Sequence, residues 1–268
     1  MRLELWECIR RIPWRRRVAP FRLAFALGCA LAVYFTVCMA FGVVLRFCEI
    51  GDRQLLRTVA LVGGIFGQIP AGAVLLLFCF SAPPAKRLLA AKLGIRPVTR
   101  RDWKVIGICV AANLLLCGPV TEVWELLLDF CRIPHADKQE LAQIIAGGSP
   151  IQIGLILIGA VIVAPVVEEI AFRRALFGIL RPLGAWPAIL ITCALFSLVH
   201  LFLLGIPGLF LLGFLFLYAY LRTRNLASAI LLHMAVNLIA AAAVGREHCA
   251  DRQIFILIVD HNASPIEK

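Results

Sequence analysis

The stretch 151–183, IQIGLILIGAVIVAPVVEEIAFRRALFGILRPL, decides how the rest of the chain is read. It opens on an apolar run interrupted only by Gln152 and then places Glu168, Glu169, Arg173 and Arg174 within apolar sequence. A run of this length is too long for one strand. Inside lipid it satisfies its backbone only as a helix, since no water is there to bond free N–H and C=O groups. Comparable runs lie on both sides, at about Leu23–Leu45, Thr58–Ala82, Val105–Leu128, Trp186–Leu204, Leu209–Leu221 and Leu226–Val244. With the one from Ile151, the reading is an all-α polytopic transmembrane helix bundle of about seven spans, each near the length that crosses a bilayer of roughly 30 Å.

Composition agrees. Of 268 residues, 62% are hydrophobic and 16% charged, with a mean hydropathy of +0.92. Soluble domains are about half apolar and a quarter charged, so a soluble globular protein is excluded. The net charge of +11 is a topology signal. With the N-terminus inside and the spans alternating, nineteen of the twenty-seven Lys and Arg fall in inside segments, as the positive-inside rule requires. The expectation is an integral protein of the plasma or inner membrane, N-terminus cytoplasmic and C-terminus outside. Its basic segments suit anionic lipid headgroups, and nucleic acid is not expected as a partner. Nothing in the sequence speaks to oligomeric state.

The chain divides into a cytoplasmic basic interfacial segment (1–22, with Arg10–Arg17 and Trp14), a transmembrane domain (23–244) and a short tail (245–268). Within the domain, residues 151–244 hold the candidate catalytic core. The first apolar run is longer than a signal-peptide core and lacks a small-x-small exit, so it reads as a retained anchor. No C-x-x-C pair occurs; Cys48, Cys131 and Cys249 fall outside, where one disulfide is conceivable.

Ionisable residues inside spans cost several kcal/mol unless paired or hydrated. Three clusters qualify: Glu168, Glu169 and Arg173 in EEIAFR, His200 in FSLVH, and His233 with Asn237 in HMAVN. Residues four apart share a helix face, so Glu169 and Arg173 pair, while Glu168, about 100° round, points elsewhere. His233 and Asn237 project together, and Phe196 packs under the His200 ring. The three clusters reach one depth, about 20 Å from the inner end for Glu168, His200 and Asn237 and about 14 Å for His233, only if the fourth helix continues to Leu180 and turns at Arg181–Gly184.

A carboxylate in a poorly hydrated pocket is a competent general base, a neighbouring imidazole holds the same water, and a second imidazole with an amide stabilises an oxyanion. These are the parts for amide hydrolysis without a covalent intermediate. The three clusters resemble the E-E-x-x-x-R, F-x-x-x-H and H-x-x-x-N motifs of the CAAX prenyl-protease/bacteriocin-processing (CPBP, or Abi) intramembrane proteases, in the same order. The resemblance spans Glu168 to Asn237. It implies a membrane endopeptidase reached from the cytoplasmic side, acting on a membrane-bound or lipidated peptide or protein, prenylated or leader-bearing. Glu168 and His200 would activate water, His233 and Asn237 would line the oxyanion hole, and Glu169, Arg173 and Phe196 would support them. No cofactor is implied by the glutamate mechanism; zinc held by Glu168, His200 and His233 is the alternative.

Other readings stand beside this one: an ion-coupled transporter built on the same buried cluster, or a non-catalytic immunity or partner protein. Glu122 and Glu125 read as interfacial carboxylates, and His135, His248 and His261 as solvated loop residues. Gly63, Gly67 and Gly72, with Gln68 and Pro70, read as close helix packing.

Overall fold

The computed structural model describes residues 20–47, 53–79, 93–135 and 149–262. They form seven helices and, among the described residues, no strand: α1 Pro20–Phe47, α2 Arg53–Cys79, α3 Arg100–Phe130, α4 Pro150–Leu183, α5 Ala185–Leu198, α6 Ile206–Thr223 and α7 Leu226–Asn262. Six are long and apolar enough to cross a membrane, and the protein is a polytopic all-α bundle.

The fifth expected span, Trp186–Leu204, forms a helix shorter than its apolar run. α5 has 14 residues, about 21 Å of helix, short of a bilayer core. It ends at Leu198, so His200 sits on the following turn and not within a span. The cause is local. His200 Nδ1 donates to the Phe196 carbonyl at 2.7 Å, using an acceptor at the helix end that would otherwise lack a partner. Leu201 then turns the chain with φ of 51°. Trp124 Nε1 of α3 donates to the Leu203 carbonyl at 3.0 Å and holds this turn against the bundle. At the other end of the chain α7 runs on past Val244 to Asn262, through most of the stretch read as a tail.

α4 does continue to the expected turn, which Gly184 makes at φ 104°, a conformation glycine adopts at little cost. It is not a uniform α-helix. Residues Gly159–Val163 and Ile170–Leu176 are π-helical. Each inserted residue rotates everything beyond it by about 100°, so these segments set which way the glutamates face.

Packing places α4 at the centre, against α1, α2, α5 and α7, while α6 fills the space between α3, α5 and α7. The expected glycine contacts are present: Gly67 lies against Val37 and Cys38 of α1, and Gly72 against Val167 of α4. A Cβ on Gly159 would run into Ile65. Ile65 meets Gly159 and Gly72 meets Val167, so α2 and α4 run parallel, as spans two apart must when crossings alternate. Outward, Phe35, Met39, Leu115, Val123 and Leu126 are exposed; an apolar surface of this extent suits lipid and not water.

One end of the bundle is clasped by polar bonds. Arg96 binds both Asp102 oxygens, at 2.7 and 2.9 Å, and the Thr223 carbonyl at 2.8 Å. Asn225 accepts from the Arg96 N–H and donates to the Arg96 carbonyl, each at 3.1 Å. Asp102 also closes a capping box with Thr99 at the start of α3, and the α6–α7 turn passes through Arg224 at φ 54°. At the far end of α3, His135 is not the solvated residue expected. Its side chain is 8% exposed and stands 4.0 Å from both Glu125 and Asp129. The Cys131 thiol is free and exposed. The side chains of Arg10–Arg17, Trp14, Cys48, His248, Cys249 and His261 lie outside the described residues.

Candidate active site

Glu169 is the node. Its Oε1 lies 2.9 Å from Arg173 Nη1 and 2.9 Å from His233 Nδ1. Glu169 and Arg173 have no exposed side-chain surface. Two charges so deep persist because they neutralise each other at helical spacing four, as expected; unpaired, either is strongly unfavourable in a lipid-embedded interior. Since a carboxylate accepts, His233 Nδ1 carries the proton shared with Glu169, and the ring presents Nε2 on its other side.

Nε2 faces Glu168. The separation to Glu168 Oε2 is 4.0 Å, too long for a direct hydrogen bond and suited to a bridging water. Glu168 Oε2 is buried and accepts no hydrogen bond from the described residues, whereas its side chain as a whole is 20% exposed. It is therefore the carboxylate of the pair that a ligand can reach. The helix geometry separates the roles: Glu169 turned in and neutralised, Glu168 turned toward His233 and open.

An aromatic box surrounds these groups. The Arg173 guanidinium lies over Phe196 at 4.4 Å and Phe216 at 5.2 Å from the ring centroids, and Nη2 donates to the Gly213 carbonyl at 3.1 Å. Gly213 lets α6 approach, since a Cβ there would sit 3.1 Å from the Phe196 ring. Phe216 stacks on His233 with centroids 4.4 Å apart and planes at 23°. Phe196 meets His200 edge-on at 5.0 Å and His233 at 6.0 Å, so one ring touches both imidazoles. Aromatic contacts of this kind contribute about 0.5–1.5 kcal/mol each beyond burial.

His200 and Asn237 join less directly. Among the described residues no hydrogen bond links His200 to Glu168. Its Nδ1 is held by the Phe196 carbonyl, which leaves Nε2 as its available acceptor. Asn237 Nδ2 donates to the Ala160 carbonyl of α4 at 2.8 Å. The zinc alternative meets a poor donor set: among the described residues no three His, Cys, Asp or Glu side chains gather closely enough to hold a metal ion.

Sequence reasoning did not single out Phe216, Gly213 or Ala160. A glycine within an apolar helix was a usable sign of close approach; nothing distinguished Phe216 from its apolar neighbours.

Residues 150–239 match the model of a family described as "Type II CAAX prenyl endopeptidase Rce1-like". Over 84 residues, 31% of this chain, the sequence is 34% identical to a Bacillus subtilis (strain 168) protein named "Putative membrane peptidase YdiL". The match spans about a third of that relative's length, 34%. No solved structure matches the chain. The segment that carries Glu168, His200, His233 and Asn237 is thus similar to the type II CAAX prenyl endopeptidases, in agreement with the resemblance of its three motifs.

Proposed function

We propose that the chain is an intramembrane endopeptidase that hydrolyses a peptide bond of a membrane-bound or lipidated peptide or protein, with Glu168 as general base. The observation that carries this reading is the 4.0 Å approach of Glu168 Oε2 to His233 Nε2. That carboxylate oxygen is buried and accepts from no donor among the described residues, and the imidazole is fixed from behind by Glu169.

In this reaction Glu168 takes a proton from water, and the water oxygen attacks the scissile carbonyl carbon. His200 Nε2 accepts from the same water. The carbonyl oxygen becomes an oxyanion, met by His233 in its doubly protonated form, whose Nδ1–H stays on Glu169 and whose Nε2–H faces the site. Asn237, one turn further along the same helix, is engaged by the Ala160 carbonyl. The proton held by Glu168 passes to the leaving amine as the C–N bond breaks, and one water is consumed. A preorganised donor in a water-poor site stabilises such an oxyanion far better than solvent does. No step calls for a cofactor.

The substrate end is proposed on family likeness: a prenylated C-a-a-X peptide or a leader-bearing peptide, presented from the cytoplasmic side. The orientation proposed is N-terminus cytoplasmic and C-terminus outside, in the plasma or inner membrane. This orientation counts α5, though short, as a crossing between α4 and α6. The basic N-terminal segment is proposed to rest on anionic lipid headgroups.

The test uses purified protein in liposomes, offered a farnesylated C-a-a-X peptide and a leader-type membrane peptide, with products read by mass spectrometry. The expected result is a new peptide fragment that Glu168→Gln does not make while melting as the wild type does. An unchanged product with Glu168→Gln rejects the general base. Ion flux through the liposomes without cleavage rejects the peptidase in favour of a transporter.

A further inference from the structure

We infer that Asn237 is a positioning residue: its amide stands in for the N–H that Pro165 lacks, and so holds the π-turn of α4 that aims Glu168 and Glu169 at His233. The turn is Gly159–Val163, where the Ala164 N–H bonds back to the Gly159 carbonyl, five residues earlier. With Ala164 so engaged, the backbone donor due to the next carbonyl, Ala160, is the amide of residue 165 by the same five-residue spacing. Residue 165 is proline and has none. Asn237 Nδ2 fills that place at 2.8 Å. The assignment of its amide is settled by its partner, because a carbonyl only accepts.

The consequence reaches the site through helix rotation. Were the π-turn to relax to α-helix, every residue beyond it would swing by about 100°. Glu169 would leave His233, Arg173 would leave the Gly213 carbonyl, and Glu168 would no longer face Nε2. Asn237 lies one turn from His233 on α7, so a single helix carries the imidazole and the bond that fixes the glutamates' rotation relative to it. The bond itself does not depend on the peptidase reading; only its effect on cleavage does.

The test is a double-mutant cycle on the full chain: wild type, Asn237→Ala, Pro165→Ala and the double variant, each melted in detergent and assayed for cleavage in liposomes. Asn237→Ala is expected to lower the melting temperature and cut cleavage roughly tenfold, the scale of one lost hydrogen bond. Pro165→Ala restores a backbone N–H, so it is expected to raise the melting temperature more in the Asn237→Ala background than in wild type. The double variant should regain most of the lost cleavage. An equal Pro165→Ala shift in both backgrounds overturns the inference. So does a double variant that regains stability but stays at the Asn237→Ala rate, the behaviour of a direct oxyanion donor. If Asn237→Ala does not fold, recovery of monodisperse protein by Pro165→Ala supports the inference and failure to recover rejects it. If the wild type cleaves nothing, the peptidase reading fails while the melting cycle still decides the Asn237–Ala160 bond.

Discussion

Glu169 Oε1 stands 2.9 Å from His233 Nδ1, across 64 positions of sequence, and the same oxygen holds Arg173 Nη1 at 2.9 Å. One buried carboxylate thus ties the orientation of an imidazole on α7 to a cation on its own helix. Removing one member of a buried pair leaves an uncompensated charge, a loss of about 3–5 kcal/mol. Glu169→Gln is therefore expected to lower the melting temperature in detergent sharply. Adding Arg173→Met to Glu169→Gln should recover part of the loss, because the stranded guanidinium is gone. Strictly additive shifts from the two changes would show that the residues do not act as a pair.

Phe216 stacks on His233 at 4.4 Å and lies farther, 5.2 Å, from the Arg173 guanidinium, so its effect should fall on ring orientation more than on charge. Phe216→Leu keeps the apolar volume and loses the stack. The expected outcome is a cleavage rate lower by roughly tenfold, consistent with about 0.5–1.5 kcal/mol of aromatic contact, and a melting temperature within a few degrees of wild type. Kinetics and melting of the same preparation check it.

The pairing of Glu169 with Arg173 was legible in the sequence because spacing four in a helix is a local property. So was the extent of α4, because only a helix reaching Leu180 brings Glu168 to the depth of the histidines. The end of α5 was not legible. It depends on an imidazole bonding a carbonyl four residues back, and FSLVH is as apolar on one side of that point as on the other. Nor were the π-turns of α4, the first of which ends just before Pro165 and has its Ala160 carbonyl bonded by an amide 77 positions away. Phe216 became a site residue only through the stacking of α6 against α7, which hydropathy does not encode.

The Arg96 clasp joins the segment before α3 to the α6–α7 turn, far from the glutamates in chain order. Asn225 is fully buried and bonds both the N–H and the carbonyl of Arg96. Asn225→Ala strands those groups, at about 1–3 kcal/mol. A lowered melting temperature is expected, with residual cleavage per folded molecule unchanged; loss of cleavage at full stability would give the clasp a role in the chemistry.

Helix contact between α2 and α4 is close at Gly159, where a Cβ would meet Ile65. Gly159→Ala is expected to destabilise by about 1–3 kcal/mol through overpacking. Ile65→Ala in the same chain should relieve it. Thermal melts of the two single variants and the pair measure the coupling, and absence of any relief would mean that the two helices are not in contact there.

Glutamate-driven hydrolysis calls for no metal ion. Incubation with a chelator, followed by dialysis, is expected to leave cleavage unchanged, and loss of activity restored by zinc would replace the mechanism with a metal-assisted one.

The most direct measurement compares membrane peptides, by mass spectrometry of new chain ends, from cells carrying the intact protein and cells carrying Glu168→Gln at equal abundance. A base at Glu168 means that a defined set of fragments disappears in the variant while its uncut precursors accumulate. Identical peptide sets from the two strains, with both proteins folded and inserted, would contradict it.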